Sequence, residues 1–258
     1  MSSARARHDH FSRVSRAYAA FRPRYPREVF EFVASIAPHR HRAWDCGAGN
    51  GQATTDLADW FDEVIGTDVS VEQISRAPAH PKIRWVVAPA EATPLESASI
   101  DLITVAQALH WFDHAKFYAE VRRVATPGAA IAAWTYGSPQ MDGEVGEALG
   151  GFMYGTLKEY WPPERRHVER EYRTIPFPFE PIESPRLSLV ESWTPEQVVG
   201  YGRSWSATSR YVEIHGEDPI PEFERKLRQL WSDGEPRSIV WPLVLIAGRV
   251  SNDDAKDR

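Results

Sequence analysis

Asp45, Gly47, Gly49 and Gly51 in "AWDCGAGNGQAT" set a carboxylate and three closely spaced glycines between an apolar run and a helical pattern. Glycine at such a turn lets the backbone approach a ligand where a side chain would block it. A dinucleotide site wants G-x-G-x-x-G with a pyrophosphate at the helix N-terminus. Here the spacing is G-x-G-x-G behind Asp45, an anion that repels a pyrophosphate and favours a ligand carrying an ammonium group. The next apolar run, "EVIGTD", ends at Asp68, 17 residues beyond Gly51, where a carboxylate can accept hydrogen bonds from both hydroxyls of a ribose. The other reading of Asp68 is a cap on the following helix. A third run leads to "APAEATPL", with Ala90 and Glu91 where an adenine edge would lie, although a surface glutamate would read the same way.

A second group of polar residues follows another apolar run. In "VAQALHWFDH", residues 105–114, a stretch that reads as a buried strand stops at Gln107, His110, Trp111 and Asp113. Open α/β sheets bind ligands at the carboxyl ends of their strands, so these side chains would emerge on the floor of a site. The unperturbed pKa of an imidazole lies near neutrality, which makes His110 the candidate general base; a histidine that only orients a loop is the alternative. Trp111 fits a packing wall for cofactor or substrate, and an aromatic face also stabilises a cation. His110 and His114 stand four apart, a metal-ligand spacing, but the helix begins only at Asp113 and no metal centre is expected. Arg165, Arg166 and Arg170 could clamp a carboxylate or form an exposed charged helix face. Of ten tryptophans, Trp161, Trp193 and Trp205 lie outside the central sheet and are the candidates to line a pocket.

The elements that would position these groups alternate in the rhythm of a parallel sheet with covering helices. The pattern predicts strands at 42–46, 62–67, 83–87, 100–106 and 129–135, with helices at 51–60, 71–77 and 114–125. Residues 137–185, rich in Pro, Trp and Tyr, read as a partly helical insertion. A strand at 186–191, helices near 194–206 and 220–231, and a strand at 239–249 close the fold. The expected organisation is a cap or lid at 1–30, a core at 31–136, the substrate-side insertion at 137–185, the rest of the sheet and its helices at 186–250, and a disordered tail at 251–258. Within the cap, Phe11, Val14, Tyr18 and Phe21 are spaced as on a helix, so 8–26 is expected to close over a ligand with Tyr18 and Tyr25 facing it.

These motifs resemble a known family. "WDCGAGNGQAT", "GTDVSVEQI", "APAEATPL", "IDLITVAQALHWFD" and "VRRVATPGAAIAAWTY" look like the class I S-adenosylmethionine-dependent methyltransferases, in the branch that includes trans-aconitate methyltransferase-like enzymes. "YAAFRPRYP" is similar to that branch's N-terminal cofactor cap and "YGRSWSAT" to its substrate-side helix, while "VATPGAA" departs from the usual leucine-lysine-proline-glycine-glycine turn. The resemblance implies a Rossmann-like α/β fold: a seven-stranded, mostly parallel sheet with an antiparallel last strand, helices on both faces, an N-terminal helical cap and an insertion after strand five. It implies S-adenosyl-L-methionine as cofactor. The expected cofactor contacts are Tyr18, Asp45, Gly47, Gly49, Gly51, Asp68, Val69, Ala90, Glu91 and Gln107. Substrate contacts are expected at His110, Trp111, Tyr136 and Trp205, with His110 as the catalytic group.

Composition narrows the function class. The chain has 258 residues and a net charge of −6, yet residues 1–27 carry seven arginines against one aspartate, so the remainder is strongly acidic. An acidic body argues against a nucleic-acid surface, and "QALHWF" stands where amino-directed nucleic-acid enzymes carry an Asp/Asn-Pro-Pro-aromatic motif. The single cysteine, Cys46, excludes an internal disulfide framework. With no long apolar run and no signal peptide, a cytoplasmic, membrane-free protein is expected, monomeric or homodimeric, acting on a small molecule. The branch points to a carboxylic acid and a methyl-ester product. A nucleic-acid or protein methyltransferase and a non-catalytic cofactor-binding protein are the alternatives.

Overall fold

We describe the fold from a computed structural model in which residues 23–251 are described. The expected lid helix, with Tyr18, and the tail beyond 251 lie outside those residues. The chain runs α1 (Arg27–Ile36), β1 (Arg42–Cys46), α2 (Gln52–Leu57), β2 (Glu63–Asp68), α3 (Val71–Ser75), β3 (Ile83–Val87) and β4 (Ile100–Ala106). A short turn at Leu109–Trp111 leads to α4 (His114–Val124), β5 (Ala125–Tyr136), α5 (Gly143–Gly151), α6 (Arg165–Glu169), β6 (Glu180–Ile182) and β7 (Leu187–Trp193). Helices α7 (Pro195–Arg203), α8 (Ser206–His215) and α9 (Ile220–Leu230) precede β8 (Arg237–Arg249).

The sheet has the order β3-β2-β1-β4-β5-β8-β6, with β7 also paired to β8. Strands β1 to β5 are parallel and β8 runs antiparallel to β5, as expected. Among the described residues there are eight strands rather than seven, because β6 and β7 both add to β8. At three residues, β6 is too short to leave a periodic signal.

Two compact units partition the chain, the first made of Tyr25–Gly137, Arg166–Ser188 and the chain from Pro242 onward. Its central strands are buried on both faces, which is why β1 and β4 read as apolar runs rather than alternations. Alternate residues of β5 serve opposite sides. Ile131 and Ala133 join a cluster with Trp44, Phe117 and Val121, whereas Trp134 meets Phe30 of α1 edge-on at 6.2 Å. Helix α1 was not foreseen, since the prolines of "FRPRYP" read as a stop; Pro26 in fact precedes its first turn, where its missing N–H costs nothing. "TPG" at 126–128 does not separate α4 from the next strand either, because β5 begins at Ala125 and absorbs the triplet with a register shift opposite Ile100/Leu102.

The second unit comprises 23–24, Ser138–Arg165 and Leu189–Trp241. It is an aromatic core: Phe152 stacks on Phe223 at 4.2 Å, and Trp193 packs against Trp241 and Tyr201. The single helix expected near 194–206 is two. Helix α7 opens with a Thr194/Gln197 capping box and ends at Arg203, and α8 starts at Ser206. Among the described residues no helix is long and apolar enough to cross a membrane.

Candidate functional site

The glycine turn follows β1 with Gly47, Gly49 and Gly51 all at positive φ. The Cβ of any other residue at Gly47 would come within 2.6 Å of the Ala108 Cβ and 3.1 Å of the Phe112 ring. The turn is thus packed directly against the loop that follows β4. Gly49 is the opposite case: a Cβ there would meet nothing within 4 Å, so its outer face is open. Asp68 ties this turn to β2, one carboxylate oxygen accepting from Gly49 N at 2.9 Å and the other from Ser70 N at 2.8 Å. Asp68 therefore braces the turn into α3 and fixes the glycine loop, while staying partly open to solvent. Beyond it, Val69 is 74% exposed and Val87, at the end of β3, is 48% exposed. These apolar side chains stand on the carboxyl edge with no covering layer of described residues.

Asp45 lies in mid-sheet, paired in register with Gly66 and Thr104. It is fully buried. Its two oxygens accept from the hydroxyls of Thr54, at 2.6 Å, and Thr104, at 2.9 Å. Burial raises its pKa from 3.8 to about 6, against the pull of those hydroxyls, with a smaller push from the charge of Asp68. The carboxylate thus acts from beneath the turn, through α2 and β4. Ala90 is buried, and Glu91 accepts from Asp113 N at 2.9 Å, bracing the start of α4.

Past β4, Gln107 takes a left-handed backbone with φ of 57°. Its N–H donates to Trp134 O, its Oε1 accepts from the Thr135 hydroxyl at 2.7 Å, and its buried Nε2 has no partner. His110 sits in the following turn, half-buried, with Nδ1 3.1 Å from the Tyr172 hydroxyl. Trp111 is 57% exposed, its ring 5.0 Å from that of His110. His114 turns back to the Leu109 carbonyl, so it and His110 serve different partners. Among the described residues no group of three or more metal-ligating side chains is found. Tyr136 closes β5 nearly buried, 6.3 Å from the ring of Tyr25, which itself packs on Trp134.

The structure thus brings the glycine turn, Asp68, Gln107, His110 and Trp111 to the carboxyl edge of one sheet. Trp205 belongs to the other unit, where it packs among Phe152, Trp161 and Tyr201. Three residues around the site were not singled out in the sequence. Thr54 and Thr104 hold Asp45, and Tyr172 holds His110. A threonine inside an otherwise apolar strand, as at Thr104 and Thr135, is a readable signal of a buried polar partner. Tyr172 offered none, because 62 residues separate it from His110.

The chain matches the family described as "Methyltransferase domain" over residues 44–133. It is 34% identical over 249 residues to a candidate methyltransferase from Dictyostelium discoideum, covering 93% of this chain and 95% of that one. A Saccharomyces cerevisiae protein named as an S-adenosylmethionine-dependent methyltransferase is 31% identical over 164 residues, 60% of this chain and 56% of its own. Among solved structures, a candidate type II methyltransferase from Anaeromyxobacter dehalogenans superposes with a TM-score of 0.83 at 45% identity, covering 89% of this chain and 98% of that one.

Proposed function

Because this chain belongs to the class I S-adenosylmethionine-dependent methyltransferases, we propose that it methylates a small-molecule acceptor, a carboxylic acid in the reading drawn from the trans-aconitate branch, within the cytoplasm. S-adenosylmethionine supplies a methyl group already activated on a sulfonium. The residues at the carboxyl edge fit such a molecule. The open face of Gly49 and the Asp68 carboxylate would hold its amino-acid and ribose parts, with Asp45 stiffening the turn from below. Exposed Val69 and Val87 offer an apolar surface for a base, beside Ala90 and Glu91. Gln107, His110, Trp111 and Tyr136 would border the acceptor, with Tyr18 and Trp205 as further contacts expected from the family pattern.

Transfer from an activated donor asks the protein chiefly for proximity, orientation and exclusion of water. One observation carries the small-molecule reading. The segment after α6 is strapped to α4, with the Tyr118 hydroxyl donating to Pro176 O at 2.7 Å and Arg122 donating to Pro178 O at 3.2 Å. That strap seats Tyr172 on His110. The chain's own residues narrow the approach to His110, which suits a compact acceptor over a polymer. If the acceptor carries a proton, His110 removes it; a carboxylate needs no base, and His110 then orients it.

The test is product formation with a panel of metabolite acids, phenols and amines, followed by His110→Ala. With a protonated acceptor, turnover should fall by about 10² to 10⁴ while donor affinity holds. With a carboxylate the same variant should chiefly raise the acceptor KM. Wild-type kinetics in the variant for every acceptor would remove His110 from the reaction, and no product from any compound would leave binding without catalysis.

A further inference from the structure

Of the three arginines whose spacing could clamp a carboxylate, Arg166 and Arg170 are exposed, whereas Arg165 is half-buried. Its guanidinium carbon stands 3.7 Å from the centre of the Trp161 ring, and its Nη2 donates to the Ser138 hydroxyl at 3.0 Å. The Ser138 oxygen also shares a short hydrogen bond with the Tyr154 hydroxyl. Trp161 is fixed in its turn, the indole N–H donating to Met153 O at 3.0 Å. Met153 and Tyr154 belong to a π-helical segment, Phe152–Thr156, that continues α5. Such segments are rare and frequently mark functional sites. Here Phe152 and Met153 are buried, while Tyr154 is 48% exposed. All of these residues lie in the second unit.

The proton count of this cluster holds whichever hydroxyl donates to the other. Ser138 and Tyr154 carry two hydroxyl protons, and only one lies in the bond between them. The pair's other neighbour in this cluster is the Arg165 guanidinium, which only donates. One hydroxyl proton is therefore left over beside a positive charge, at a place that Tyr154 keeps open to solvent. A carboxylate is the complement, since its two oxygens only accept and its bonds to charged donors are the strong ones. The indole covers one face of the guanidinium, so ligands meet it in its plane, which matches a planar anion.

We propose that Ser138, Tyr154 and Arg165 form a carboxylate-binding site on the second unit, with Trp161 as the plate that holds the guanidinium. Its ligand is a small molecule bearing a carboxylate, the chemical class read above for the acceptor. That shared class rests on the carboxylic-acid reading, whereas the site stands on its own residues and needs neither His110 nor the methyl donor. Ring and hydroxyl hold Arg165 before a ligand arrives, so less side-chain freedom is lost on binding than at an unrestrained arginine.

The probes are succinate, its neutral counterpart succinamide, and sulfate as a non-planar anion, each titrated into full-length protein without methyl donor. Binding is followed by calorimetry and through the arginine Nε–H signals of a proton–nitrogen spectrum, with Arg165 assigned by loss of its signal in Arg165→Lys. Succinate should shift the Arg165 signal saturably and succinamide should not. Tyr154→Phe removes one exposed hydroxyl and should weaken succinate about tenfold, as expected for a hydrogen bond to a charged group. Arg165→Lys should weaken it at least as much, because an ammonium keeps the charge but not the planar fork. If Arg165→Lys does not fold, Tyr154→Phe decides and the signal is assigned through Arg165→Gln. Equal binding of succinamide, sulfate bound as tightly as succinate, or unchanged succinate affinity in Tyr154→Phe would overturn the site. Succinate binding in a protein that methylates no acid would support the site while removing the acid as acceptor. Methyl-ester formation with no succinate-induced shift at Arg165 would remove the site alone.

Discussion

Replacing Asp45 by Asn should change how stability responds to pH, in a direction its burial dictates. Asp45 is fully enclosed, and burial lifts its pKa from 3.8 to about 6 despite two threonine hydroxyls. Between those two pH values the folded protein holds a proton that the unfolded chain has released. Stability from this group is therefore complete below about pH 4, is lost as pH rises through the window, and stays flat above it. The interval corresponds to about 3 kcal/mol at 1.36 kcal/mol per pKa unit. Glu120 works the opposite way, its pKa lowered by Arg123 and Thr93 against the cost of burial, so its contribution disappears only as pH falls into the acid range. Groups common to both proteins cancel in the difference. Urea unfolding of wild type and Asp45→Asn at a series of pH values from 4 to 7.5 isolates the effect. The stability difference should move by about 3 kcal/mol in favour of the variant on going to pH 7.5. Parallel curves would mean that Asp45 does not ionise in this window, and the account of a buried, hydroxyl-held carboxylate would fail.

Asp68→Ala should weaken binding of S-adenosylhomocysteine by roughly 1.5 to 3 kcal/mol by calorimetry, the range for hydrogen bonds to a charged group; unchanged affinity would take Asp68 out of the ribose site. Gly49→Ala should fold at a cost of about 1 to 2 kcal/mol for its left-handed backbone yet bind the donor poorly, because the new methyl group stands on the open face. Gly47→Ala should lower Tm further than Gly49→Ala, since its methyl group also collides with Ala108 and Phe112; equal Tm values would show that the turn and the post-β4 loop are not in contact. Trp111→Ala should leave stability within about 0.5 kcal/mol, as for most exposed positions, while methyl transfer falls. Normal kinetics would return Trp111 to the ordinary surface.

The parts of the fold legible in the sequence were those written in continuous local patterns. The runs at 42–46 and 100–106 coincide with β1 and β4 because buried parallel strands are largely apolar, and the run at 83–87 coincides with the half-buried β3 through its β-branched and aromatic residues. Asp113 announced α4 through its side chain, which accepts from Lys116 N. What the sequence hid depends on partners far along the chain. That Trp193 and Trp205 pack in the aromatic core of the second unit was not legible, because an aromatic side chain carries no mark of which surface it will meet. Asp45 was readable as a carboxylate near the glycine turn, whereas its saturation by Thr54 and Thr104 required the register of β1 against β4. The glycines were legible as a group, but not that Gly47 answers to Ala108 and Gly49 to open space.

Strand β8 has a consequence for biosynthesis. Its first five residues, Arg237–Trp241, belong to one unit, and the stretch from Pro242 belongs to the other. It is also the last described element to leave the ribosome. Seven of its residues, Leu243–Arg249, complete β5, whose own residues were made over a hundred positions earlier. Neither unit can be finished while its final strand is still in the exit tunnel, so the usual order in which an N-terminal domain matures first is unavailable here. Until β8 emerges, the edge of β5 that it will cover is an apolar ladder without that partner, and chaperone occupancy of nascent chains should peak between the emergence of Tyr136 and that of Arg249.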